Sequence, residues 1–168
     1  VKDRDISGYF WKGNDHIVYL RDFGGDENFH LFSVNIHDGE EVDLTPFEGV
    51  KAQIIDGLED DEASMIIGLN KRDKRLFDAY KVNVNSGALS LIATNPGGVM
   101  SWKTDHDGQL RIAVRTDGVN SSLLYRDKTN QPFKTILTTN FREGVRPLFF
   151  TFDNKKLYVS SNLGRDKA

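Results

Sequence analysis

Apolar and polar residues alternate in short runs along most of the chain, and Gly, Asn and Asp separate the runs. HLFSVNIHDGEEVDLTPF (30–47) alternates, turns at Asp38-Gly39 and alternates again. Its outline returns as AYKVNVNSGALSLIATN (79–95) and, more faintly, as LLYRDKTNQPFKTILTTN (123–140). Period-two alternation predicts half-buried strands, and Asp-Gly predicts a hairpin turn because glycine accepts positive φ. Apolar spacing at i, i+3, i+4 is sustained nowhere, so the pattern predicts an all-β fold.

The tightest apolar strands, IVYL (17–20), MIIGL (65–69), RIAV (111–114) and LYVS (157–160), give the period. Val18 to Ile66 spans 48 residues, and Ile66 to Ile112 and Ile112 to Tyr158 span 46 each. A repeat in the mid-forties with four short strands is the signature of a β-propeller blade. The expected fold is a partial β-propeller of about three and a half four-stranded antiparallel blades, forming one domain over residues 1–168. Blade one covers about 8–47, blade two 51–95, blade three 98–140, and a half blade 145–162. The B strands are apolar on both faces, as for strands between neighbouring blades. The D strands alternate, as outer strands do. Tyr9, Phe10, Trp11, Trp102, Phe149, Phe150 and Phe152 fall in or near A strands, where inter-blade packing is expected of them.

Composition narrows the function classes. Hydrophobic residues make up 38% of 168, enough for a core, and the formal net charge of -3 provides no field for nucleic acid or an acidic membrane. The absence of cysteine removes disulfides and thiolate chemistry. No apolar run is long enough for a membrane-spanning helix. The compartment stays open. The start at Val1, and a pattern that begins again at KKLYVSS only to stop, predict a piece of a longer protein.

YLRDFGGDENFHLFSVNIHDGEEVDLTPFEGVKAQI (19–54) and GLNKRDKRLFDAYKVNVNSGAL (68–89) carry a family likeness. They resemble the N-terminal propeller of prolyl-oligopeptidase-type serine peptidases, the acylaminoacyl-peptidase-like members of the S9 group. GDENFHLF and NKRDKRLFD are its most telling segments, and TolB-like domains share the propeller periodicity. The resemblance covers 8–102 well and the remainder weakly. It implies a propeller of seven or eight blades over an α/β-hydrolase domain, filtering peptide substrates. The family's triad lies in the hydrolase part, and no G-x-S-x-G elbow occurs in this sequence, so no catalytic residue carries over. Glu40 and Glu41 stand together but open a D strand, unlike the glutamates that hold a peptide amino terminus in the dipeptidyl-peptidase branch.

The residues offer no cofactor or metal signature. Carboxylate-rich DHDG (105–108) and LEDDEAS (58–64) fit solvated A–B hairpins, and the glycine pairs of FGGDEN and NPGGVM precede no helix. His16, His37 and His106 sit at turns; His30 alone opens a strand beside a charged loop. In an antiparallel blade the B–C and D–A connections share one face. Two B–C connections are expected to be long, RDFGGDENF (21–29) and NKRDKRLFD (70–78), and charged loops of this kind carry binding. The candidate site is therefore Asp22, Asp26, Glu27, Asn28 and His30 with Lys71, Arg72, Asp73 and Arg75. Asp22, Asp26 and Glu27 are expected to pair with Lys71, Arg72, Lys74 and Arg75 across the gap, or these charges with a docked domain. Expected partners are the α/β-hydrolase domain of the parent chain, a peptide passing the propeller, and a second copy through open blade edges. The alternative is a TolB-like propeller that binds only proteins.

Overall fold

A computed structural model describes residues 6–165. Among them are fourteen strands and no helix. They are β1 (Gly8–Lys12), β2 (His16–Arg21), β3 (His30–Asn35), β4 (Glu41–Asp43), β5 (Ala52–Asp56), β6 (Ser64–Asp73) and β7 (Leu76–Asn83). There follow β8 (Leu89–Ala93), β9 (Val99–Thr104), β10 (Leu110–Thr116), β11 (Ser121–Tyr125), β12 (Lys134–Thr139), β13 (Val145–Phe150) and β14 (Leu157–Ser161). They form four-stranded sheets β1–β4, β5–β8 and β9–β12 and the two-stranded sheet β13–β14. Every sheet is antiparallel, with its strands in chain order. The chain divides into two compact units, Val1–Thr94 and Asn95–Ala168.

The first unit packs the first two sheets face to face. Val18, Leu31 and Leu44 from the first meet Met65, Ile67, Leu69, Val82 and Val84 from the second, with Phe10, Leu20 and Tyr80 at the edges. Alternation explains the selection, since Val18 pairs with Ser33 in register and Leu20 with Leu31, putting one face of β2 and β3 inward. Each such aliphatic residue contributes about 1.5–3 kcal/mol by its burial. The last residue of β1, Lys12, is buried, and its Nζ donates to the carbonyl oxygens of Gly57 and, at 2.7 Å, Leu58 in the β5–β6 turn. Burial lowers the Lys12 pKa, with Asp61 and Asp56 opposing that shift.

The second unit has a smaller core of Ile112, Leu123, Val145 and Phe150, flanked by Val114, Tyr125, Leu137 and Leu157. A buried cation again joins two sheets. Arg111 donates from Nη1 to Asp105 Oδ2 (3.1 Å) and the Asn154 carbonyl (3.0 Å), and from Nη2 to the Tyr125 hydroxyl (2.5 Å). Its guanidinium lies 4.8 Å from the centre of the Phe150 ring. Burial alone would lower its pKa; the hydrogen bonds to Tyr125 and Asp105 outweigh that and raise it.

The A-strand aromatics divide, against the expectation that all would be packed. Phe10 and Phe150 join the clusters, whereas Tyr9, Trp11, Phe149 and Phe152 are exposed. The cause is the pleat. Phe10 points into the first unit's core, so Tyr9 and Trp11 on either side of it take the other face of β1.

Candidate functional site

The first long connection spans 22–29, between β2 and β3, and turns through Gly24 and Gly25 at φ 63° and 85°. Asp22 is buried, and its carboxylate accepts the Glu27 N–H at 3.3 Å. Asp26 accepts both the side-chain and backbone N–H of Asn28 at 3.0 Å, and these bonds hold its carboxyl below the usual range. His30 is buried, with Nδ1 2.9 Å from Asp43 Oδ2 and its ring set edge-on to Phe23 at 5.0 Å.

Around His30 lies a layered cluster on the sheet face opposite the core. Tyr19 stacks on Phe32 at 5.2 Å, and the Arg21 guanidinium lies 4.2 Å from the centre of the Phe32 ring. Glu41 accepts from the Tyr19 hydroxyl at 2.5 Å and from Arg21 Nη2 at 3.3 Å. Burial first, and the bond to Glu41 second, push the Tyr19 pKa far up. Sequence reasoning chose His30 and missed Tyr19, Arg21, Glu41 and Asp43. The signal was present, because alternation along β4 puts Glu41 and Asp43 on one face.

The second connection differs from the expected nine-residue loop. β6 continues to Asp73 and β7 starts at Leu76, leaving a two-residue turn at Lys74-Arg75. Asn70 and two ion pairs explain the extension. Buried Asn70 accepts the Lys51 N–H at 2.6 Å and donates to the Lys74 carbonyl at 3.0 Å. Arg72 grips Asp78 through Nε and Nη2, both at 2.9 Å, across the hairpin. Asp73 accepts from Arg75 at the backbone N–H (2.9 Å), Nε (3.2 Å) and Nη2 (3.0 Å), which lowers its pKa to about 2. Lys71 places Nζ 3.8 Å from the centre of the Phe47 ring.

For Asp26 and Arg75 the expected pairing across the gap thus gives way to bonds within each segment, Asp26 with Asn28 and Arg75 with Asp73. Sequence-local partners win because they need no further ordering of long side chains. The two connections are still joined: Ala52 N–H donates to the Phe29 carbonyl at 2.8 Å, and its neighbour Lys51 is held by Asn70. The predicted residues therefore share one rim of the first unit, with His30 and Asp22 inside it. Asp26, Glu27, Lys71 and Arg75 stand exposed on it, and Asn28 is half-buried. Among the described residues no group of three or more His, Asp or Glu is placed to hold a metal ion. What the rim offers a ligand is exposed carboxylate and cationic groups beside the half-buried Asn28 amide.

Comparison with solved structures defines the class. A TolB-type protein from Agrobacterium tumefaciens matches 83% of the chain with 52% of its own (TM-score 0.56, 13% identity). TolB from Acinetobacter baumannii matches 90% with 42% (TM-score 0.52, 12% identity). An oligogalacturonate lyase from Vibrio parahaemolyticus matches 84% with 40% (TM-score 0.56, 16% identity). The fold is a partial, TolB-like β-propeller. No family profile matches the chain. Sequence comparison gives the lineage: over 98% of its length the chain is homologous to dipeptidyl aminopeptidase BIII of Pseudoxanthomonas mexicana, at 34% identity, and so to an S9-type peptidase. Dipeptidyl peptidase family member 6 of Caenorhabditis elegans aligns over the same share at 24% identity. The chain spans 24% of the length of each of these relatives.

Proposed function

We propose that this chain is a non-catalytic propeller segment of an S9-type peptidase, gating peptide substrates and docking on an α/β-hydrolase domain of the parent protein. The observation that carries this reading is 34% identity across 98% of the chain to a dipeptidyl aminopeptidase of which it spans 24%. The rim supports it. Lys71 and Arg75 are exposed cations on a hairpin stiffened by the Arg72–Asp78 pair, suited to meeting carboxylates of a peptide or of the hydrolase surface.

The parent protein provides the test. It is expected to contain an α/β region with a G-x-S-x-G elbow and to release dipeptides from peptide amino termini. Charge reversal at Lys71 and Arg75 together should alter kcat/KM for long acidic peptides more than for a short neutral chromogenic dipeptide. A parent protein made of further blades and nothing else would overturn the peptidase reading and favour a binding propeller. Equal effects on long and short substrates would overturn the role of the rim.

A further inference from the structure

The first unit holds a cavity that the rim described above does not use. It lies at the opposite end of the sheets, where the A–B and C–D turns gather, and its volume is about 90 Å³. His16, Ser33, Asn35, Glu40 and Asn85 provide polar lining, and Val42 and Val84 provide apolar sides. A single water needs only about 10–15 Å³, so the space is larger than one solvent molecule requires.

Its floor carries an unusual group. Ser33 is 1% exposed, and its Oγ has no hydrogen-bond partner, although it sits between Val18 and Val42 on the core-facing side of the sheet. A buried hydroxyl without a partner costs about 1–3 kcal/mol, whereas valine at that position would pack without that cost. At the mouth, among the described residues, the Glu40 carboxylate, the His16 ring and the Asn85 amide have no hydrogen-bond or ion-pair partner. Asn35 Oδ1 accepts only the His37 N–H, at 2.9 Å. One negative charge and several neutral oxygen acceptors thus converge between two valines.

We propose that this cavity receives the guanidinium group of an arginine side chain carried by a polypeptide. The match is one of number and shape. Guanidinium is planar and presents five N–H donors, and it is weakly hydrated enough to leave water for a slot with apolar walls. Ser33 Oγ, Asn35 Oδ1, Asn85 Oδ1 and the two Glu40 oxygens are acceptors for it. An ammonium would leave the flat apolar walls uncovered and has three donors in a compact head. This inference does not depend on the peptidase reading.

The test is calorimetric titration of the whole protein with N-acetyl-arginine amide, with N-acetyl-citrulline amide as the neutral isostere. Arginine is expected to bind at least about tenfold more tightly than citrulline, a difference of about 1.4 kcal/mol. Ser33→Val, which fills the floor, and Glu40→Gln, which alters only an exposed side chain, should each abolish that preference. Thermal melting checks that both variants remain folded, and Glu40→Gln decides alone if Ser33→Val does not. Equal binding of citrulline, equal binding of N-acetyl-lysine amide, or arginine binding untouched by Glu40→Gln would each overturn the proposal. No heat of binding from any of the three would mean that the cavity holds only water, which overturns it too.

Discussion

Gly98 and Gly118 both have positive φ, 76° and 96°, yet they differ in what surrounds them. A Cβ on Gly118 would meet open space, so alanine there bears only the left-handed backbone cost. A Cβ on Gly98 would run into the Thr116 carbonyl oxygen, in the strand segment whose own N–H is bound by the Gly98 carbonyl at 2.8 Å. That oxygen belongs to backbone and cannot swing away. Gly118→Ala should therefore cost about 1 kcal/mol, and Gly98→Ala about 3 kcal/mol or more, because strain and overlap act together. Urea unfolding of the two variants measures the difference. Equal losses would show that conformation alone governs both positions.

At the scale of elements, the same device joins neighbouring sheets in both units. Lys12 leaves the first sheet to bond the Leu58 carbonyl, and Arg111 leaves the third to bond the Asn154 carbonyl. Both acceptors are non-glycine residues with positive φ, at 50° and 56°, in the A–B turn of the following sheet. A left-handed residue turns its carbonyl toward the preceding sheet, where a buried cation donates to it, at Leu58 in addition to the Asp61 N–H at 3.0 Å. Lys12→Met keeps the length of the side chain but removes the ammonium from the Gly57 and Leu58 carbonyls, leaving Leu58 only the Asp61 N–H. It is expected to cost about 1–3 kcal/mol and to speed amide exchange in the β5–β6 turn more than in β2–β3. Uniform exchange across both would count against a local tie. Neither Lys12 nor Arg111 stands out in the sequence, where each reads as one more polar residue of a strand or turn. The strands themselves were legible from alternation and turn residues, and so was the first long connection, whose expected limits of 21–29 exceed the observed 22–29 by Arg21 alone. The β6–β7 extension was not. Asn70 to Asp73 are polar, and polar runs read as loop unless their cross-strand partners are known. The cavity floor was hidden for a related reason: alternation puts Ser33 inward, but only coordinates show that its hydroxyl meets no partner.

For the whole molecule, the response to acid is set by carboxylates whose folded pKa lies below the unfolded value. Asp73 in the first unit and Asp117 in the second both fall to about 2. Arg75 is the main cause for Asp73; for Asp117 it is the backbone N–H groups of Asn120 and Val119, at 2.7 and 2.9 Å. Asp26, Asp61 and Asp153 shift in the same direction. A depressed carboxylate binds its proton more readily in the unfolded chain. Its stabilising contribution is complete above the unfolded pKa of about 3.9 and is lost as pH falls through the folded value. Stability should therefore hold level above about pH 5 and decline from about pH 4 to about pH 2. Asp73→Asn and Asp117→Asn remove the linkage one unit at a time, since each side chain bonds only within its own turn. Each variant should be less stable than the parent at neutral pH and converge with it near pH 2, as urea midpoints measured across that range will show. Curves that stay parallel down to the acid limit would mean that these two carboxylates do not govern the acid response.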